Sequence, residues 1–123
     1  MTAAVFDVSA SHFREDSAPF LSARRVAERL GVTLTELAGL IGVARNTLTA
    51  KAGARKVDAA LSPVVRILAM AGEMAGGEDR AAIWFKHQPI PGWAGKTAYD
   101  LVREKKADKV LAYLEAVRSG VYA

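Results

Sequence analysis

Glycine ends almost every apolar-periodic segment of this 123-residue chain, and that constrains the class of fold more than any other feature. Short stretches with apolar residues three and four apart stop at Gly31, Gly42, Gly53, Gly76-Gly77 and Gly120. A glycine just past the last helical residue takes up the left-handed conformation without a steric clash. Alternating runs of β-branched residues, the mark of half-buried strands, are missing, while Ala, Leu, Arg and Glu are frequent. The pattern predicts an all-α fold. Ser22 is placed to cap a helix over Ala23–Leu30, and Thr35 one over Glu36–Ile41. A third helix is expected over Arg45–Ala52, followed by a basic connector at 53–60. Ser62-Pro63, a capping residue and then proline at the first helical position, is expected to open a long helix running to Gly76. Beyond it lie segments at Arg80–Lys86, from Thr97 to about Lys105, and at Asp108–Arg118. Thr97 with Asp100 resembles a capping box. The prolines and glycines between Gln88 and Lys96 exclude helix and strand there. Residues 1–21 are the least patterned and read as an N-terminal arm, with Phe6, Phe13 and Phe20 available to pack on a core.

Composition removes whole classes of chemistry. With 51% apolar residues the chain collapses around a core, as one domain or as two very small ones sharing it. The absence of cysteine excludes a disulfide framework, a thiolate zinc site and a cysteine nucleophile. His12 and His87 are too far apart in sequence for a paired metal motif, and no nucleophile–base arrangement is recognisable. The expectation is a protein that is not an enzyme and takes no cofactor and no metal. No apolar run approaches the ~20 residues that span a bilayer, and Met1–Asp7 lacks the basic start of a secretory signal. A cytoplasmic location is expected. The net charge of +4 is compatible with a nucleic-acid partner but spread over both halves, so charge alone does not point to one.

Spacing does. Residues 34–51 read LTELAGLIGVARNTLTAK. A helix-turn-helix needs a small residue midway along its first helix, so that the second crosses closely, and Ala38 is there. It needs a residue tolerant of positive φ in the turn, and Gly42 is four residues on. Leu37, Ile41, Val43 and Leu48 are spaced to lock the two helices. The second helix then presents Arg45, Asn46, Thr47, Thr49 and Ala50 outward, with Lys51, Arg55 and Lys56 close by. Arg and Asn read guanine and adenine edges; Thr, Lys and further Arg contact phosphates. Two departures stand out. Ala44 occupies the position of a capping Ser or Thr, whose loss costs ~1 kcal/mol, and Lys51 lies near a position that is usually apolar. A helical hairpin without a DNA role has the same pattern of apolar residues.

The second half carries a resemblance. Ala60-Leu61-Ser62-Pro63 leads into a helix, and Trp84 precedes a Pro89-Ile90-Pro91-Gly92-Trp93-Ala94-Gly95-Lys96-Thr97 loop. Ala98-Tyr99-Asp100-Leu101-Val102 follows, then Leu114-Glu115-Ala116-Val117 and a closing Gly120-Val121-Tyr122-Ala123. Over about residues 22–123 this resembles the MbcA/ParS/Xre antitoxins of type II toxin–antitoxin modules, whose partners are RES-domain toxins. The resemblance implies an Xre-like helix-turn-helix that binds operator DNA and dimerises, and a small helical domain that binds the toxin. It implies that Gly120, Val121, Tyr122 and the Ala123 carboxylate enter or cover the toxin's NAD-binding cleft, and that any NAD-consuming or ADP-ribosylating activity is the partner's. It further implies a homodimer within a toxin–antitoxin hetero-oligomer.

A short, partly apolar tail fills a pocket, and its carboxylate pairs with an arginine; an ordinary frayed terminus has the same composition. Trp84 reads as core. Trp93, where the family more often has Leu, is either core or an interface anchor, and it is grouped with Lys96 as a toxin-binding candidate. Gly95-Lys96-Thr97 lacks the upstream glycine and the strand of a phosphate loop. Arg103, Lys105, Lys106 and Lys109 read as a solvated face. The expected layout is an arm at 1–21, a DNA-binding and dimerisation region at 22–60, a connecting helix at 61–77 and a toxin-binding domain at 78–123. The competing reading is a stand-alone helix-turn-helix regulator with a helical dimerisation domain.

Overall fold

A single long helix organises the molecule. In the computed structural model, which describes residues 12–14 and 20–120, α1 spans Ala23–Leu30 and α2 Leu34–Ile41. Two single turns of 3-10 helix follow, at Arg45–Thr47 and Lys51–Gly53. The long α3 covers Ala54–Ala75, then α4 Glu78–His87, α5 Ala98–Arg103 and α6 Ala107–Arg118. The chain is all-α, as its glycine-punctuated pattern predicts. Among the described residues no single helix is long and apolar enough to cross a membrane.

The 22 residues of α3 extend for about 33 Å. Val57, Leu61, Val64, Leu68 and Ala71 form a buried stripe at helical spacing, widened by Val65, Ile67, Ala69 and Met70. Ser62-Pro63 does not open this helix: Pro63 lies in its interior, and residues 54–60, expected as a connector, form its first turns. The physical reason is burial. An interior proline costs roughly 3 kcal/mol. Burying Val57 and Leu61 contributes about 1.5–3 kcal/mol each, which offsets that loss. Asp58, in the same added turns, accepts a hydrogen bond from the Leu21 backbone at 2.7 Å and ties the chain before α1 to α3.

α3 packs mainly on α4 and α6, while α1 also packs on α4 and α2 on α5. The two halves of the sequence therefore share one core. Phe13, Val26, Leu30, Leu37 and Leu40 from the first half join Phe85, Ile90, Leu101, Val110 and Leu114 from the second. Phe85 and Tyr99 meet edge to face with ring centroids 6.1 Å apart. Burial, followed by the nearby Glu36 carboxylate on α2, pushes the Tyr99 phenol up. The loop after α4 is anchored rather than free: Ile90 is buried, its N–H donates to the Lys96 carbonyl at 2.8 Å, and Pro89 and Thr97 form a bridge. Of the arm, Phe6 lies outside the described residues, whereas Phe13 is buried in the core.

Local capping follows hydrogen-bond reach. Ser22 caps α1, and Thr97 with Asp100 forms the capping box of α5. The cap of α2 is Thr33, not Thr35. Only Thr33 has a glutamate three residues on: its hydroxyl accepts from Glu36 N–H at 3.0 Å, and the Glu36 carboxylate accepts from Thr33 N–H at 2.8 Å. These bonds favour the charged carboxylate and hold Glu36 below the usual carboxylate range. A Glu36 pKa lowered by folding gives stability that is present above the unfolded value and lost as pH falls through the folded one. An NMR titration of Glu36 is expected to show a midpoint below that of an ordinary surface glutamate, and Thr33→Ala is expected to raise it.

Candidate functional site

α1, α2 and the segment after them make the helix-turn-helix geometry. Ala38 is buried where α2 faces its neighbours. Gly42 takes φ 73° and donates to the Ala38 carbonyl at 2.9 Å, turning the chain out of α2. Leu37 is fully buried and Leu48 nearly so, and Ile41 and Val43 pack partly buried against the same core. The expected helix over Arg45–Ala52 is absent, however. The chain makes a 3-10 turn at Arg45–Thr47, becomes extended at Ala50 (φ −76°, ψ 132°), and makes a second 3-10 turn at Lys51–Gly53. Ala44 provides no side-chain cap, and Asn46, Thr47 and Thr49 are weak helix formers. Nothing local holds so short a segment in the α conformation.

Gly53 has a role that its reading as a helix stop misses. A Cβ there would lie 2.8 Å from Thr47 Cγ2 and 2.9 Å from the Thr47 carbonyl oxygen. The second 3-10 turn closes directly on the first, and only glycine permits that approach. Half-buried Thr47 is thereby turned toward Gly53, while Arg45, Asn46, Thr49 and Lys51 remain exposed. Arg55 and Lys56 are exposed on the first turn of α3, which continues from Gly53 without a break. Thr49, Ala50 and Lys51 share a groove of about 270 Å³ with Ser22 and Arg24 at the start of α1. Arg24 is exposed and joins the candidate basic surface; its position two residues after the Ser22 cap is the sequence signal for it. Among the described residues, Arg45, Lys51, Arg55 and Lys56 form no ion pair, unlike Arg29, which meets Glu78 at 3.3 Å. Unpaired cations around an exposed turn are suited to phosphate contacts.

The candidates of the second half fall in two places. Trp93 is half-buried against the core, with the Lys106 ammonium 5.5 Å from its ring centroid. Lys96 Nζ donates to Glu104 Oε1 at 2.7 Å, and this hydrogen bond is the main reason the Glu104 carboxyl stays below the usual range. Both residues sit at the start of α6. Gly120 lies past its end, with φ 85°, one helix length of about 18 Å away. Val121, Tyr122 and Ala123 lie outside the described residues. Of the residues read as core, Trp84 is only half-buried and borders two surface hollows. His12 meets Glu78 at 2.8 Å.

The Gly53 contact is testable. Gly53→Ala forces the Thr47 backbone to move and is expected to destabilise the fold by about 1–3 kcal/mol, as overpacking of a close contact does. Thermal unfolding measures it as a lowered Tm.

A family model described as the antitoxin Xre-like helix-turn-helix domain matches residues 9–65. A second, described as the antitoxin Xre/MbcA/ParS C-terminal toxin-binding domain, matches residues 70–120. The two adjoin within α3. Comparison with curated proteins and with solved structures gives no match. With both models in order along one chain, joined by one helix, the chain belongs to the Xre/MbcA/ParS antitoxin family and carries a helix-turn-helix domain followed by a toxin-binding domain.

Proposed function

We propose that this antitoxin neutralises a RES-domain toxin by placing the segment Gly120–Ala123 in the toxin's NAD-binding cleft, and that it represses its own operon by binding operator DNA as a homodimer. The ordered pair of family matches, helix-turn-helix then toxin-binding domain, carries the proposal. In this reading residues 22–60 bind DNA and dimerise, 61–77 connect and 78–123 hold the toxin. The NAD chemistry belongs to the toxin, and the antitoxin itself takes no cofactor. Both partners place it in the cytoplasm.

The chemistry of each end supports the assignment. Arg45 and Asn46 project from the first 3-10 turn and are the residue types that read base edges. Thr49, Lys51, Arg55 and Lys56 surround them and suit phosphates, with Thr47 holding the turn against Gly53. A two-fold pair of such turns suits a palindromic site and adds the avidity that one short turn lacks. At the other end, Tyr122 brings a ring and a hydroxyl, and the Ala123 carboxylate pairs with an arginine of a phosphate-binding cleft.

Co-expression with the product of the adjacent open reading frame, read by growth rescue and pull-down, tests the whole proposal. Deleting Val121–Ala123 is expected to release toxin activity without lowering the Tm. Neutralisation undiminished by the deletion rules out the tail mechanism, and DNA binding with no toxin partner favours a stand-alone regulator. Arg45→Ala is expected to weaken operator binding by about 1–3 kcal/mol, whereas Arg55→Ala and Lys56→Ala each reduce the salt slope by about 1. Titrations of labelled operator at several salt concentrations separate these effects.

A further inference from the structure

Among the described residues, the large hydrophobic side chains left exposed are Met74, at 38%, and Ile83, at 61%. They lie on either side of Trp84. Trp84, Met74, Tyr113 and Val117 line a groove of about 140 Å³ between the ends of α3, α4 and α6. Trp84 also walls the adjoining hollow of about 250 Å³ that Ile83 lines with Arg80 and His87. The opposite side of α4 buries Ala81, Ala82 and Phe85, and Trp84 packs partly against that core, which leaves Ile83 as an exposed apolar side chain between Arg80 and His87 on the outer face. One exposed hydrophobic residue is ordinary; two beside a half-buried tryptophan that lines two hollows point to an interaction surface.

We infer that the toxin docks on this face, with Ile83 and Trp84 as its anchors and Met74, Tyr113 and Val117 around them. The inference rests on the antitoxin reading and supplies it with a surface separate from the tail. Three observations select the toxin as occupant. Every residue of the face lies within the 70–120 stretch matched by the toxin-binding domain. Val117 is three residues before Gly120, so the face is continuous with the segment proposed to enter the toxin's cleft. The face is also remote from the DNA cations. Arg55 and Met74 stand at opposite ends of α3, about 28 Å apart along its axis, so a toxin seated here leaves the recognition turns clear. Arg80 and His87, exposed beside Ile83, suit a partner whose apolar patch is rimmed by carboxylates.

The division of labour is affinity from the face and inhibition from the tail. The test uses the full chain and a catalytically inactivated RES-domain toxin in isothermal titration, with Ile83→Asp and Met74→Lys as separate variants. Ile83 and Met74 are exposed, so both variants are expected to keep the wild-type Tm and DNA affinity. Each is expected to bind toxin at least about 30-fold more weakly, the loss typical of an anchor residue. The chain lacking Val121–Ala123 is expected to keep most of its affinity while failing to block the active toxin. Unchanged toxin affinity in both variants overturns the inference. Loss of self-association with toxin affinity intact also overturns it and assigns the face to a second copy. A wild-type chain that does not bind the toxin overturns the inference together with the function on which it rests.

Discussion

Burial of the apolar stripe along α3 is the interaction on which the rest of the structure depends. Leu61, Val64, Val65 and Ile67 are completely enclosed, and the elements around them come from both halves of the chain. α1 reaches α4 and α2 reaches α5 across the same core. No pair of helices here buries its apolar surface alone, which is expected of a chain this short. The helix-turn-helix is consequently seated on the toxin-binding half, and α3 fixes the distance between the two functional ends.

That arrangement explains a recognition segment with little helical order of its own. Two 3-10 turns at Arg45–Thr47 and Lys51–Gly53 are held by the buried Leu48 and by the close contact of Gly53 with Thr47. Tertiary anchoring replaces the missing cap at Ala44. The exposed side chains, Arg45 and Asn46 among them, therefore do not follow the regular angular steps of an α-helix. The other cations, Lys51, Arg55 and Lys56, are exposed beside the turns.

The second half shows the complementary economy. Trp93 and Lys96 are engaged within the chain, by Lys106 and Glu104, and hold the proline-rich loop against α5 and α6. They sit at the far end of α6 from Gly120, whereas the outward surface of α4 adjoins it. The groups most conspicuous in the sequence thus have partners within the domain. The exposed face is made of residues that read as ordinary helix, because Ile83 and Trp84 belong to an apolar run in which periodicity does not say which member stays outside.

By itself the sequence determined what short-range geometry controls. Glycines past helix ends, Ser22 as a cap and Thr97 with Asp100 as a capping box specify an all-α chain and several of its helix limits. Ala38 and Gly42, four residues apart, specify the turn of a helix-turn-helix. These signals act over one helical turn, through φ preference and hydrogen-bond reach, and need no partner elsewhere. Only the tertiary structure decided that Pro63 lies inside α3, that Arg45–Gly53 forms two tight turns, and that Met74 and Ile83 stay outside the core. Each of those outcomes turns on burial against residues distant in sequence, where packing outweighs a proline, a weak local propensity or an apolar side chain's own preference for the interior.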